Sequence, residues 1–219
     1  MMRCMGGADV IEWARAEEVT LLPANATSSY QRITALLARL EAPMPEKTAR
    51  LKKDLIALIE SGRHLLIGAK ALIQYTRPRF TEDTDYAVGQ QMFRRVRKWF
   101  RDRRETVDYE DAGERIRSKS LALDIINAHN NPVLLCVLRT ESGLPSPEAL
   151  AACKYAAMTS PTRDRVERIQ DFADFSRLVL LDDFDTRKLL GYLAPPYDAQ
   201  RDEVARLIDD IRSGREVRF

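Results

Sequence analysis

The feature of this sequence that most limits the possible folds is the alternation of short apolar and helix-forming segments between residues 64 and 88. Residues 64–67 (HLLI) predict a short buried strand that ends at Gly68. Residues 69–75 (AKALIQY) predict a helix, since alanine, lysine, leucine and glutamine favour helical backbone. Pro78 disfavours helical geometry in the residue before it, so the chain leaves the helix and enters a second strand. This order of elements predicts an α/β fold.

Two carboxylates stand two residues apart at the start of the second strand. Asp83 and Asp85 would share one face of an extended segment, because successive side chains of a strand alternate. Paired carboxylates on a rigid face suit Mg²⁺, which prefers oxygen ligands and shares its shell with substrate phosphates. Two such ions about 4 Å apart can activate an attacking oxygen and stabilise a leaving one. The spacing suggests metal-assisted nucleotidyl transfer, although an acidic pair near a turn is more often solvated or capping.

The glycine at the end of the first strand points to a phosphate. A glycine between a strand and a helix lets the backbone turn sharply and come close to a ligand. The helix that starts after Gly68 also offers free N–H groups to an anion. Because Arg77 and Arg79 precede the acidic pair, we expect phosphate-binding and metal-binding groups to lie side by side.

Three blocks of the chain together resemble a known family. Residues 66–72 (LIGAKAL) and the residues from Arg79 to Asp85 (RFTEDTD) resemble the minimal nucleotidyltransferases of the AbiEii type, in the DNA polymerase β-like superfamily. Residues 145–154 (PSPEALAACK) resemble that family's lysine-bearing helix, and residues 168–175 (RIQDFADF) resemble the basic and acidic helix after it. The family includes toxins of bacterial toxin–antitoxin and phage-abortive systems. Three blocks in the right order are more specific than one.

The resemblance implies a small mixed β-sheet nucleotidyltransferase core flanked by helices, with a C-terminal helical lobe. With a linker at residues 143–147, it predicts an N-terminal extension and helix (1–45), the nucleotidyltransferase core (46–143) and the lobe (144–219). It implies that Mg²⁺ or Mn²⁺ is the cofactor and that a nucleoside triphosphate (NTP) is the substrate. The nucleoside monophosphate (NMP) would pass to a hydroxyl of an RNA such as tRNA, of a protein, or of a small molecule.

The same resemblance assigns roles to individual residues. It predicts five catalytic residues: Asp83, Asp85, Asp124, Lys154 and Asp171. The predicted metal ligands are Asp83, Asp85 and Asp124, and the predicted nucleotide contacts are Gly68, Ala69, Lys70, Arg79, Thr81 and Lys154. The chain has Ala69 where the family often has a second glycine or a serine, and Gln170 where it often has lysine. A catalytically degenerate protein that binds a nucleotide or a partner such as an antitoxin is therefore the alternative.

Asp124 is a lone charge within an apolar stretch. Residues 116–127 predict one strand, and aspartate is seldom fully buried there without a partner or a metal. If this strand pairs with the one that carries Asp83 and Asp85, facing side chains lie about 5 Å apart. Asp124 would then complete a site of three carboxylates; otherwise it faces water at the end of a strand.

A strongly basic helix is predicted at residues 90–104. Its apolar stripe includes Phe93, Val96, Trp99 and Phe100, and Asp102 is the only acid among seven arginines and lysines. The whole chain has a formal net charge of only +2, so nucleic-acid binding would have to come from a local patch. The helix is either the wall of a groove for RNA or nucleotide phosphates, or a solvated surface.

Composition restricts the class of protein further. Three scattered cysteines are too few for a disulfide framework or a zinc site, and they suit a reducing cytoplasm. No apolar run approaches the length that a bilayer requires, so we expect no membrane partner and a cytoplasmic location. Further helices are predicted at residues 28–40, 47–61, 133–141, 147–158, 161–181, 182–193 and 199–212, and a polar, turn-like stretch at 105–114.

Overall fold

The computed structural model describes residues 44–77, 81, 83–193 and 197–217. Contacts between Cα atoms divide the chain into two units, residues 1–50 and 51–219. The helix predicted at residues 28–40 lies outside the described residues, as do Arg79 and most of the first unit. The division predicted at residues 45 and 143 stays a prediction.

Helices and strands alternate in the first half of the described chain, and helices alone follow. In the described residues they are α1 (Glu46–Glu60), β1 (His64–Ile67), α2 (Gly68–Leu72), β2 (Thr84–Val88), α3 (Gln90–Arg103), β3 (Asp108–Glu110), β4 (Arg115–Ser118), β5 (Leu123–Asn127), α4 (Pro132–Thr140), α5 (Pro147–Met158), α6 (Arg165–Val179), α7 (Thr186–Tyr192) and α8 (Arg201–Arg212). The α/β class predicted from the sequence is confirmed. None of the described helices combines the length and the apolar character that crossing a bilayer requires.

The five described strands form one mixed sheet in the order β1-β2-β5-β4-β3. β2 and β5 lie side by side in parallel at its centre, whereas the other neighbours are antiparallel. The register places Asp85 directly beside Asp124. The two acidic strands therefore pair, which is the condition that the hypothesis of a three-carboxylate site required.

Two apolar clusters cover the opposite faces of this sheet. Tyr86 and Ile125 face α1 and α3, in a cluster that includes Trp99 and Phe100. Ala87 and the partly buried Ile126 belong to the other face, which packs against α4 to α8. Because side chains alternate along a strand, Asp85 and Asp124 lie on this second face.

Local signals account for most of the helix bounds. α3, α4 and α5 match their predicted ranges to within one residue at each end. Ser146 caps α5 as predicted, since its hydroxyl accepts a hydrogen bond of 3.3 Å from the backbone N–H of Ala149, and Pro147 opens the helix. α6 is shorter than its predicted range, because Asp164 caps it by accepting a 2.8 Å bond from the N–H of Glu167.

Two predictions for the middle of the chain are wrong. The single strand expected at residues 116–127 is two strands, β4 and β5, joined by a turn in which Ala122 has a φ of +46°. The stretch expected to be turn-like contains β3, a short and polar edge strand. Edge strands are often short and charged, and three residues that are mostly exposed have no apolar alternation to reveal them in the sequence.

Candidate active site

A cleft of about 680 Å³ opens at the end of β2 and β5, on the sheet face that packs against α4 to α8. Most of the residues predicted to form the site line it: Gly68, Ala69, Thr81, Asp83, Asp85, Asp124, Lys154 and Asp171. The predicted elements therefore converge on one concave surface, which residues of the sheet and of the C-terminal helices line together.

Gly68 and the side chain of Asp85 are in close contact in this cleft. The backbone of Gly68 has a φ of +68°, which residues with a side chain seldom adopt. A Cβ atom at this position would lie 1.9 Å from Oδ2 of Asp85. The glycine therefore provides the turn from β1 into α2 and also leaves the space that the Asp85 carboxylate fills.

The charge of Asp85 is poorly compensated by the protein. Burial raises the pKa of its carboxyl from 3.8 to about 6, with a further contribution from the nearby charge of Asp124. Among the described residues, neither the Asp85 carboxylate nor that of Asp83 forms a hydrogen bond or an ion pair. Two carboxylates with free oxygens in one cleft fit a hard divalent cation, which offsets the cost of holding Asp85 ionised.

The described residues contain no group of three or more histidine, cysteine, aspartate or glutamate side chains that could hold a metal ion. Of the three predicted ligands, Asp83 and Asp85 are the two whose carboxylates have no ion pair among the described residues. Mg²⁺ is commonly bound by one or two carboxylates, while water and substrate phosphates complete its shell. The pair thus fits a metal that arrives with a phosphate substrate.

Asp124 lies where the sequence predicted, but its carboxylate has protein partners. It is 2% exposed and forms ion pairs with Arg115 and, at 3.2 Å, with Arg117. Glu110 joins the same group at 2.9 Å from Arg117. The group has two positive and two negative charges and is balanced within itself. The role of Asp124 as a third metal ligand stays a prediction.

Lys154 is held at the cleft by two buried acids of α6. Its ammonium lies 2.8 Å from Asp171 and 2.7 Å from Asp174, which are 4% and 0% exposed. Residues three apart share a helix face, which explains how both carboxylates reach one lysine. These contacts give the ammonium a fixed position in the cleft. The catalytic roles of Lys154 and Asp171 stay predictions.

Arg163 is a cleft residue that the sequence did not single out. It lies in the turn between α5 and α6, where its guanidinium is 3.3 Å from Asp171. Glu167 lies 3.9 Å from it on the next helix. Arg117 and Arg163 were missed because each lies in a segment predicted as part of a longer element, and Arg115 was missed because it lies between two predicted segments. For Arg115 and Arg117, the alternation in residues 115–118 (RIRS) was the available signal.

Lys70 and the basic helix are not brought to the cleft. Lys70 donates a 2.6 Å hydrogen bond to the hydroxyl of Thr84, whose side chain lies on the other face of β2 from Asp85. No residue of α3 is among the described residues that line the cleft, since α3 packs on the opposite sheet face. The expected groove wall is therefore not part of this cleft. Arg79 lies outside the described residues.

Cys153 lines the cleft beside Lys154 but is not a nucleophile. Burial raises the pKa of its thiol to about 12, so it stays protonated at neutral pH. Its side chain packs against the apolar cluster of this sheet face, as expected of a small hydrophobic residue.

The sequence matches no protein-family model and none of the curated proteins. Among solved structures, the chain is similar to the crystal structure of the Megavirus polyadenylate synthase, with a TM-score of 0.48 and 9% identity over 83% of this chain. The matched part is 45% of the viral protein, so this chain spans about half the length of that structure. A likeness of this size does not bear on activity or substrate.

Proposed function

We propose that this chain is a metal-dependent nucleotidyltransferase that moves an NMP from an NTP to a hydroxyl acceptor. The observation that carries the proposal is the composition of the cleft. Asp83 and Asp85 line it without a partner cation in the described residues, and Lys154 lines it with its ammonium held by two buried acids. Such a cleft suits the polyphosphate of an NTP together with a divalent ion.

Asp83 and Asp85 would hold Mg²⁺ or Mn²⁺ through their carboxylate oxygens. When bound, the ion would favour deprotonation of the acceptor hydroxyl and offset negative charge on the phosphates. The fit of the Asp85 carboxylate into the space at Gly68 fixes the position of one ligand. A ligand that needs no rearrangement lowers the cost of reaching the transition state.

Lys154 would neutralise phosphate oxygens of the NTP. Its contacts with Asp171 and Asp174 hold the ammonium in place, so little side-chain freedom is lost when the nucleotide binds. Arg163 lies on the same side of the cleft and adds a second cation. Asp171 is a positioning residue here, because it acts through the lysine and the arginine.

The reaction would be a single displacement at the α-phosphorus. The acceptor oxygen loses its proton and bonds to the α-phosphorus, while the bond from that phosphorus to the oxygen bridging to the β-phosphate breaks. Pyrophosphate leaves with that bridging oxygen. The cleft contributes position and charge stabilisation and forms no covalent bond to the substrate.

The test is incubation of the chain with each α-labelled NTP and Mg²⁺ or Mn²⁺, in the presence of total RNA and of protein. Label transferred to RNA or to protein supports the proposal and names the acceptor, and a screen of small hydroxylated molecules covers the third class. Asp85→Asn is the control and should abolish transfer. A toxin role with an antitoxin partner belongs to the same proposal and is tested by growth arrest on expression.

A catalytically degenerate nucleotide-binding protein is the second candidate. The placement of Lys70 against Thr84, away from the cleft, favours it, because one predicted phosphate contact is not provided. Ala69 also lacks the hydroxyl that the family often has in this turn. Under this alternative, NTP and metal would raise the melting temperature of the protein, but no label would reach RNA, protein or small molecules.

A further inference from the structure

A second cavity, of about 620 Å³, lies away from the cleft. It is formed by α3, which packs its apolar side on the sheet face opposite the cleft, and by residues 105–109. No described residue lines both concave surfaces. Whatever occupies this cavity therefore need not compete with an NTP.

Four cations of α3 line the cavity. They occupy positions i, i+3, i+4 and i+7, which lie on one face of a helix: Arg94, Arg97, Lys98 and Arg101. Within the described residues, the three arginines have no acidic partner, and Lys98 pairs with the exposed Asp102. The field of this face is therefore positive in a chain of formal net charge +2.

An exposed aromatic ring borders the same cavity. Tyr109 of β3 is 49% exposed, and the guanidinium carbon of Arg97 lies 5.2 Å from the centre of its ring. An arginine next to an accessible ring is a surface on which a nucleic-acid base can stack. Glu105 is the one carboxylate among the described residues of the lining.

We propose that this cavity binds single-stranded nucleic acid, with its phosphates on the α3 cations and one base on Tyr109. Guanidinium groups match phosphate geometry through two parallel donors, and three of the four cations are arginines. An acidic protein partner would satisfy the charges and leave the ring without a role. The combination of cations and an aromatic ring is the one used by proteins that bind single strands.

The position of β3 relates this site to the cleft. β3 is the edge strand, and its neighbouring residues Tyr109 and Glu110 line the cavity and the cleft respectively. A bound strand that crosses this edge would bring its end to the cleft. The delivery of that end to the cleft rests on the proposed function, in which the nucleic acid would be the acceptor. The binding of nucleic acid at the cavity does not depend on the proposed function.

The experiment titrates the full chain into a labelled single-stranded RNA and a DNA of the same sequence, at several salt concentrations, with fluorescence anisotropy as the readout. Arg97→Ala with Arg101→Ala should weaken binding by about tenfold or more. It should also reduce the slope of log affinity against log salt by about 1.4, because two phosphates are no longer neutralised by arginine. The matched control removes two exposed arginines elsewhere, Arg187→Ala with Arg206→Ala, and should leave affinity unchanged.

Tyr109 separates base stacking from charge. Tyr109→Leu should lose about tenfold in affinity with no change in salt slope, and Tyr109→Phe should retain wild-type affinity. Equal affinity for RNA and DNA supports recognition of the shared backbone, and a preference for RNA supports a contact to the 2′-hydroxyl. All these residues are exposed, so circular dichroism and melting should match wild type.

Three results would overturn the inference: no binding by the wild-type chain, full binding by the double arginine variant, or tighter binding to a poly-aspartate peptide of equal charge than to the RNA. The last result would favour an acidic protein over nucleic acid as the partner. Absence of nucleic-acid binding by the wild-type chain, with its stabilisation by NTP and metal intact, would refute this site alone. Binding without transfer, in wild type as in Asp85→Asn, would refute only the proposed function.

Discussion

Asp85 on β2 and Asp124 on β5 are register partners in the centre of one sheet, and they differ in what surrounds their charge. Asp124 is paired with two arginines, whereas Asp85 has no ion pair in the described residues and a pKa raised to about 6. Removing a charged carboxylate from water costs free energy at both positions. Ion pairs with arginines offset that cost only at Asp124. The difference shows that two neighbouring acids of one sheet can differ in how far the protein compensates their charge.

The largest expected effect comes from Asp85→Asn. NMP transfer should fall about 1000-fold, the scale observed when one preorganised charged or polar group is removed from a reacting centre. The metal-free variant should at the same time be more stable than wild type at pH 7.5, by up to about 3 kcal/mol, because no carboxylate has to ionise at this partly buried position. Labelled-NTP assays and urea unfolding measure the two quantities. A variant that is active, or one that is less stable than wild type, contradicts the assignment of Asp85.

Gly68→Ala should reduce transfer about 100-fold, since small displacements of a reacting group have effects of this size. The new Cβ would meet the Asp85 carboxylate and force it to move. Gly143→Ala is the matched control, because Gly143 has a φ of +78° and open space around it. Both variants should lose about 1 kcal/mol of stability from backbone strain, and only the first should lose metal affinity. Equal rates of NMP transfer by the two variants would show that the contact between residue 68 and Asp85 does not matter for catalysis.

Asp124→Asn should lower the free energy of unfolding by about 2 kcal/mol. Removing one partner of a fully buried pair costs about 3–5 kcal/mol, and here Arg117 is 35% exposed and keeps Glu110 as a partner. Asp108→Asn breaks the exposed pair with Lys119 and serves as the control, with an expected loss below about 1 kcal/mol. Urea unfolding of both variants tests the difference. A small loss at Asp124 would mean that its charge, like that of Asp85, is reserved for a ligand.

The smallest effect concerns pH. The raised pKa of Asp85 stabilises the metal-free fold below pH 3.8, and this contribution is lost as pH rises through about 6. A metal ion must displace the same proton, so Mn²⁺ affinity should fall about tenfold for each pH unit below about 6. Titration calorimetry between pH 5 and 7.5 measures it, and Asp85→Asn should remove the dependence. Constant affinity over that range would place the metal elsewhere.

Much of the fold could be predicted from patterns among residues that are close together in the sequence. The caps at Ser146, the amphipathic pattern of α3 and the alternation of Asp83 and Asp85 involve residues within a few positions of one another. These patterns can be recognised in the sequence without knowing which residues are neighbours in the folded protein. The strand β3 was missed because three polar residues at a sheet edge have no such pattern.

The partners of the charged residues could not be predicted in the same way. Arg115 and Arg117 reach Asp124 only because β4 turns back along β5, and Arg163 reaches Asp171 across the turn before α6. Lys70 follows the glycine turn in the sequence, yet its side chain bonds Thr84 away from the cleft. In each case the partner of the charged side chain depends on the strand register or on the face of the helix or strand from which the side chain projects.

The sequence by itself determined the α/β class, the acidic pair of β2, and the cationic face of α3, because each is encoded by the spacing of side chains along the chain. Only the tertiary structure decided that Asp124 is neutralised while Asp85 is not, and that the cations of α3 lie on the opposite sheet face from the cleft. The physical reason is that the energy of a charge depends on its distance from other charges and from water, and both distances are set by packing.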